Sequence, residues 1–187
     1  MKWLLARIAL IPTLCWNVLL GRILRMRNWW DRIDEHLILG ARPFSSDVEA
    51  LAAAGVKGVV NTCEEYAGPM AAYQKAGIEQ LHIPTVDFTP PSYTDILAAI
   101  AFIDRVTSAD ASVYIHCKAG RARSATIALC WLLHAKNMTP EQAQNLLLTK
   151  RPHVSRHLVE RAVVQQFWRS LDKGENTKSA VVSRARS

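Results

Sequence analysis

This chain has little of the material from which several protein classes are built. Its 187 residues hold four cysteines, Cys15, Cys63, Cys117 and Cys130. Their spacing makes no pairs, so neither a disulfide framework nor a zinc site is expected. No group of side chains has metal-ligand spacing, and no metal or other cofactor is expected. A long apolar run is missing too. Residues 3–20 are mostly apolar, but Arg7, Pro12 and Asn17 interrupt them. The charge-free run from Ile8 to Leu20 falls short of the ~20 residues that a spanning helix needs. Acidic residues are absent from residues 1–30, and a basic surplus is absent from the middle. The net charge of +7 divides into +5 over residues 1–30, −1 over 31–172 and +3 over 173–187. A nucleic-acid binder would carry positive charge on its folded part, so no nucleic-acid partner is expected.

What is present at the ends points elsewhere. An apolar stretch, then Arg22, Arg25 and Arg27, then Trp29 and Trp30, suits a segment lying on an anionic membrane surface. A tilted span, a cleaved targeting peptide and a helix packed on the domain stay open beside it. Few serines and no small-residue cleavage site weigh against the targeting peptide. The tail 173–187 is polar and basic and is expected to be disordered. The middle, 31–172, is long enough for one domain with a real core. Unpaired cysteines suit a reducing compartment. The oligomeric state is not legible.

The middle alternates strand-type and helix-type segments. Leu37–Gly40, Val56–Thr62, Gln80–Pro84 and Val113–Ile115 read as strands. Ser46-Asp47-Val48-Glu49 reads as a capping box opening a helix to Ala54. Further helices are predicted over Pro69–Ala76, Tyr93–Ser108 with Leu97, Ile100, Ala101 and Ile103 inward, from Pro140 to about Lys150, and over Arg156–Leu171. Alternation of this kind predicts an α/β fold with a central, mostly parallel sheet between helices.

One stretch organises the rest. His116-Cys117-Lys118-Ala119-Gly120-Arg121-Ala122-Arg123-Ser124 lies between a strand and a helix start. A loop at a helix N-terminus aims its N–H groups inward and makes an anion site. Gly120 lets such a loop close without a Cβ in the way. Arg123 can grip two phosphate oxygens with its planar fork. A cysteine in that cradle has its pKa depressed, and a thiolate facing a bound phosphate is a nucleophile facing an electrophile. Ser124 can donate a hydrogen bond to the thiolate as it leaves, and His116 is expected to orient the loop through hydrogen bonds.

His-Cys-x5-Arg-Ser in this context resembles the signature of the cysteine-dependent phosphatases of dual-specificity type. The run from His116 to Thr126, with Glu64-Glu65-Tyr66 and Thr85-Val86-Asp87 upstream, is most similar to the branch that dephosphorylates phosphatidylglycerophosphate. The resemblance runs from about Trp29 to about Trp168. It implies the cysteine-phosphatase fold and hydrolysis through a phosphocysteine. It also implies Asp87, 30 positions before Cys117, as general acid, which suits an alkoxide leaving group that needs a proton. Asp95 and Asp104 are alternatives placed on a helix. It implies Glu64, Glu65 and Tyr66 in a loop that shapes the substrate site. The amides of Lys118, Ala119, Gly120, Arg121 and Ala122 would then hold phosphate oxygens. Lys118 and Arg121 add charge suited to a second phosphate, hence to an anionic phospholipid at a bacterial or mitochondrial inner membrane. A protein phosphatase, an inactive phosphate-binding recruiter at a membrane, and a sulfur-transfer or arsenate-reducing enzyme are the other readings. The last would want a resolving thiol, and Cys130 is thirteen residues on.

Overall fold

The strand segments are short, and the nearly continuous apolar runs of the inner ones suit strands buried on both faces. In the computed structural model, which describes residues 27–171 and, before them, residues 12, 15, 16, 18, 19, 21 and 24, they form one five-stranded sheet. Its strands are β1 (Trp30–Arg32), β2 (Leu37–Gly40), β3 (Val56–Cys63), β4 (Glu79–Thr85) and β5 (Ser112–His116), in the order β1-β2-β5-β3-β4. β1 is antiparallel to β2, and every other pairing is parallel. β5 is central and buried throughout.

Helices cover both faces, as parallel sheets require. Leu37, Leu39, Val113 and Ile115 face α3 (Tyr93–Thr107), α4 (Arg123–Lys136), α5 (Pro140–Lys150) and α6 (162–171). Ile38, Val59 and Tyr114 face α1 (Val48–Ala53) and α2 (Met70–Ala76). β2, β5, β3 and β4 all run the same way, so their C-terminal ends, Gly40, His116, Cys63 and Thr85, line one edge. Ligands bind outside that edge in open α/β sheets.

Several local expectations need correction. Trp29 and Trp30 belong to the domain. Trp29 is buried, stacks on Phe44 at 5.8 Å and donates from Nε1 to the Arg42 carbonyl at 3.0 Å. Trp30 meets Tyr114 edge-on from β1. The entry to α1 is capped two residues earlier than predicted, at Phe44. A 3₁₀ turn, Ser45–Asp47, precedes it, and the Asp47 carboxylate accepts from the Phe44 N–H at 2.8 Å. The inward face of α3 is Ile96, Ala99, Ile100, Ile103 and Val106, at helical spacing, while Leu97 is 44% exposed and Ala101 is also exposed. α6 starts at 162, because 151–161 run as turns that spend their backbone on other contacts. Ser155 donates to the Arg121 carbonyl, and Gln144 bonds both Ser155 and Leu158. Most of the expected membrane segment and the tail 173–187 lie outside the described residues. Among the described residues no helix is long and apolar enough to cross a membrane.

Candidate active site

The loop 117–122 joins β5 to α4, and the carbonyls of Lys118 to Ala122 turn outward. That of Lys118 accepts from Arg42 N, those of Ala119 and Gly120 from Arg151, that of Arg121 from Ser155 N, and that of Ala122 from Thr126 N. With the oxygens satisfied outside, the N–H groups are left to face the centre. Gly120 donates from N to Cys117 Sγ at 3.2 Å. It sits at φ +67°, and a Cβ there would come within 2.4 Å of the Gly40 backbone. No other residue fits where the loop crosses the end of β2.

Cys117 is buried at the centre. Burial alone would push its thiol up. The Arg123 charge and hydrogen bonds from Ser124 outweigh it and bring the thiol down to about 7. The Ser124 hydroxyl donates to Sγ at 3.2 Å. The other two thiols of the domain behave oppositely. Burial pushes Cys130 up to about 12 and Cys63 well above its ordinary value, so both are ordinary protonated thiols.

Arg123 opens α4 and is only 1% exposed. Strand ends hold it: Nη1 donates to the Thr85 carbonyl at 2.8 Å and the Thr62 carbonyl at 3.4 Å. Glu65 takes Nη1 and Nη2 together at 2.8 Å each. Burial works against the Glu65 charge, but Arg123 holds its carboxyl below the usual carboxylate range. Nη2 also lies 3.1 Å from Asp87 Oδ1. Nε is a buried donor with no partner among the described residues. A buried orphan donor beside a thiolate suits an anion oxygen.

The structure therefore brings Cys117, Arg123, Ser124, Asp87 and Glu65 together. Glu65 sits behind Arg123 and orients it. Lys118 is turned inward, ion-paired with Asp87 and 5.7 Å from the Phe88 ring centroid. Arg121 is exposed at the rim, with Nε bonded to the His153 carbonyl at 2.8 Å. Tyr66 donates to the Pro43 carbonyl at 2.6 Å under the Arg42 guanidinium, and Glu64 points outward. Asp95 caps its own helix and Asp104 meets His134, both away from Cys117. The His116 ring reaches the loop through a contact with the Cys117 backbone. Neither nitrogen has a hydrogen-bond partner of good geometry, and burial drives its pKa down to about 3. It is a neutral aromatic plate stacked on Tyr114 at 5.6 Å, and its carbonyl accepts from Thr62.

Sequence reasoning missed Arg151. It is fully buried, paired with Asp31 at 2.5 Å, and donates to the carbonyls of Asn28, Trp29, Ala119 and Gly120. One side chain thus ties the chain entering β1 to the nucleophile loop. No local pattern marks a residue whose partners lie 31 and 120 positions away.

A low-pKa thiolate inside a ring of amides, an arginine fork and a carboxylate across the cleft define a cysteine-dependent phosphatase. Residues 37–172 match the family model described as "Dual specificity phosphatase, catalytic domain", and the chain belongs to that family. It is 40% identical over 166 residues to the phosphatidylglycerophosphate phosphatase PTPMT2 of Arabidopsis thaliana, covering 87% of this chain and 73% of that one. It is 34% identical over 176 residues to the phosphatidylglycerophosphatase and protein-tyrosine phosphatase 1 of Mus musculus, covering 89% and 91%. The crystal structure of PTPMT1 superposes with a TM-score of 0.72 at 31% identity, covering 80% and 99%. The same protein in complex with PI(5)P gives 0.73 over 79% and 99%, also at 31% identity.

Proposed function

We propose that this phosphatase removes the terminal phosphate monoester from an anionic phospholipid, with phosphatidylglycerophosphate as the substrate. The observation that carries this is the composition of the cleft. A cavity of about 340 Å³ reaches outward from Cys117 and has Arg121 and Lys118 on its wall besides Arg123. One phosphate needs Arg123 and the loop amides. A head group with a second, diester phosphate can use Arg121 as well. Relatives named for phosphatidylglycerophosphate phosphatase activity support the same substrate.

Cys117 Sγ attacks phosphorus, forming the P–S bond as the ester P–O bond breaks. Arg123 and the amides of Lys118 to Ala122 hold the equatorial oxygens as charge develops. Asp87, protonated from solvent once Lys118 and Arg123 turn to the bound phosphate, gives that proton to the leaving alkoxide. A water then attacks phosphorus, Asp87 takes back a proton, and the P–S bond breaks to return the thiolate and inorganic phosphate. Ser124 stabilises that thiolate. Lys118 holds the acid over the cleft before substrate arrives, and Glu65 keeps Arg123 aimed. The basic residues at 1–30 would keep the domain at an anionic membrane face in a reducing compartment of a bacterium or mitochondrion.

Phosphoprotein hydrolysis is the second reading, favoured by the double name of the mouse relative. The test compares kcat/KM for phosphatidylglycerophosphate, a phosphoinositide and a phosphotyrosine peptide. The lipid should be turned over fastest. A faster phosphopeptide overturns the lipid assignment in favour of a protein phosphatase.

A further inference from the structure

Next to the acid stands a residue that the reaction described so far does not use. Phe88 follows Asp87 in the turn Val86–Thr89, which Thr89 closes by donating from N to the Val86 carbonyl at 3.2 Å. Phe88 has φ +65°, a region that bulky side chains avoid. Its ring is 66% exposed. The strain therefore gains the fold no burial, and strain of this kind collects at functional sites. Across the same cavity stands a second exposed aromatic, Trp16, 58% exposed. Between the two rings the wall carries Arg121, Arg123 and Lys118, the last paired with Asp87, a net cationic surface leading down to Cys117. The cavity's ~340 Å³ falls within the roughly 300–1,000 Å³ of clefts that hold sizeable organic ligands. An aromatic rim above a cationic floor matches one kind of molecule. It has an anionic head and a hydrocarbon body.

We infer that Phe88 and Trp16 form the apolar half of an amphiphile site, gripping the glycerol-proximal hydrocarbon of the lipid while its phosphates sit on the floor. This rests on the lipid reading above and adds to it the residues that tell a lipid from its bare head group. The amphipathic Trp16 ring suits the boundary between head groups and acyl chains, and the wholly apolar Phe88 ring suits the hydrocarbon beside it. The placement beside Asp87 has a consequence. Hydrocarbon packed on Phe88 holds the acid turn over the leaving oxygen, so acyl chains raise turnover as well as affinity.

The test uses the full chain and two substrates with one head group: phosphatidylglycerophosphate in vesicles, and its deacylated, water-soluble form. The variants are Phe88→Asn and Trp16→Ala. Asparagine tolerates positive φ, so the turn survives the loss of the ring. Each variant should lower kcat/KM on the lipid at least tenfold more than on the deacylated head group, and Phe88→Trp should restore most of it. Equal losses on both substrates overturn the rim inference and leave the lipid reading standing. A wild type that hydrolyses a phosphotyrosine peptide faster than either overturns both.

Discussion

Arg123 is committed on one edge before any substrate arrives. Glu65 and two strand-end carbonyls take Nη1 and much of Nη2, leaving Nε and Asp87's side of the fork towards Cys117. That charge, with Ser124, sets the thiolate. Alkylation of Cys117 should therefore rise with pH around a midpoint near 7. Ser124→Ala should move the midpoint up by about 1–2 pH units, as expected for a lost hydrogen bond to a charged group. An unmoved midpoint would take Ser124 out of that role. Asp87→Ala should slow an alkyl phosphate by roughly 10²–10⁴-fold and an aryl phosphate less, because only the poor leaving group needs the proton. Equal losses on the two would make Asp87 a structural residue.

At the scale of elements, the site is an edge of four parallel strands plus one clamp. Each strand end delivers a part: Arg42 after β2, Glu65 after β3, Asp87 after β4 and Cys117 after β5. Arg151, at the end of α5, holds the loop from outside by the Ala119 and Gly120 carbonyls. Arg151→Lys keeps the charge but loses the fork that spans those acceptors. The melting temperature should fall, and kcat should drop on lipid and aryl phosphate alike, on the order of 10²-fold for a loop displaced by about 1 Å. A lower melting temperature with kcat unchanged would leave Arg151 a role in the scaffold alone. This element is also where sequence reading stopped. Cys117, Gly120, Arg123 and Ser124 were legible because they lie within one loop and its helix, and the sheet was legible from its apolar strands. β1 was not, since Asp31 and Arg32 carry no strand pattern and the pairing with β2 creates it. The Arg151 clamp and the Glu65 fork join residues 31 and 58 positions apart. Nothing local records them, and Glu65 reached the candidate set through resemblance alone.

The whole molecule carries its charge and its acid sensitivity in different places. Basic residues crowd the ends, while the domain keeps a neutral imidazole, His116, inside the sheet edge. His116 titrates near 6.5 when free and near 3 in the fold. Below about 6.5 the unfolded chain binds a proton that the folded chain refuses, so stability falls progressively towards pH 3. Burial shifts His153 the same way. The melting temperature should drop between pH 7 and 5, and His116→Gln should flatten that drop. An unchanged slope in the variant would place the acid sensitivity elsewhere. The central claim is a covalent phosphate on Cys117 during turnover of a lipid phosphomonoester. The most direct measurement is acid quenching of wild-type enzyme turning over phosphatidylglycerophosphate, followed by mass spectrometry of the peptide that contains Cys117. The expected result is a phosphate adduct on Cys117 that appears within the first turnover and is absent from Cys117→Ser. Steady phosphate release with Cys117 unmodified, or the adduct on another residue, would contradict it.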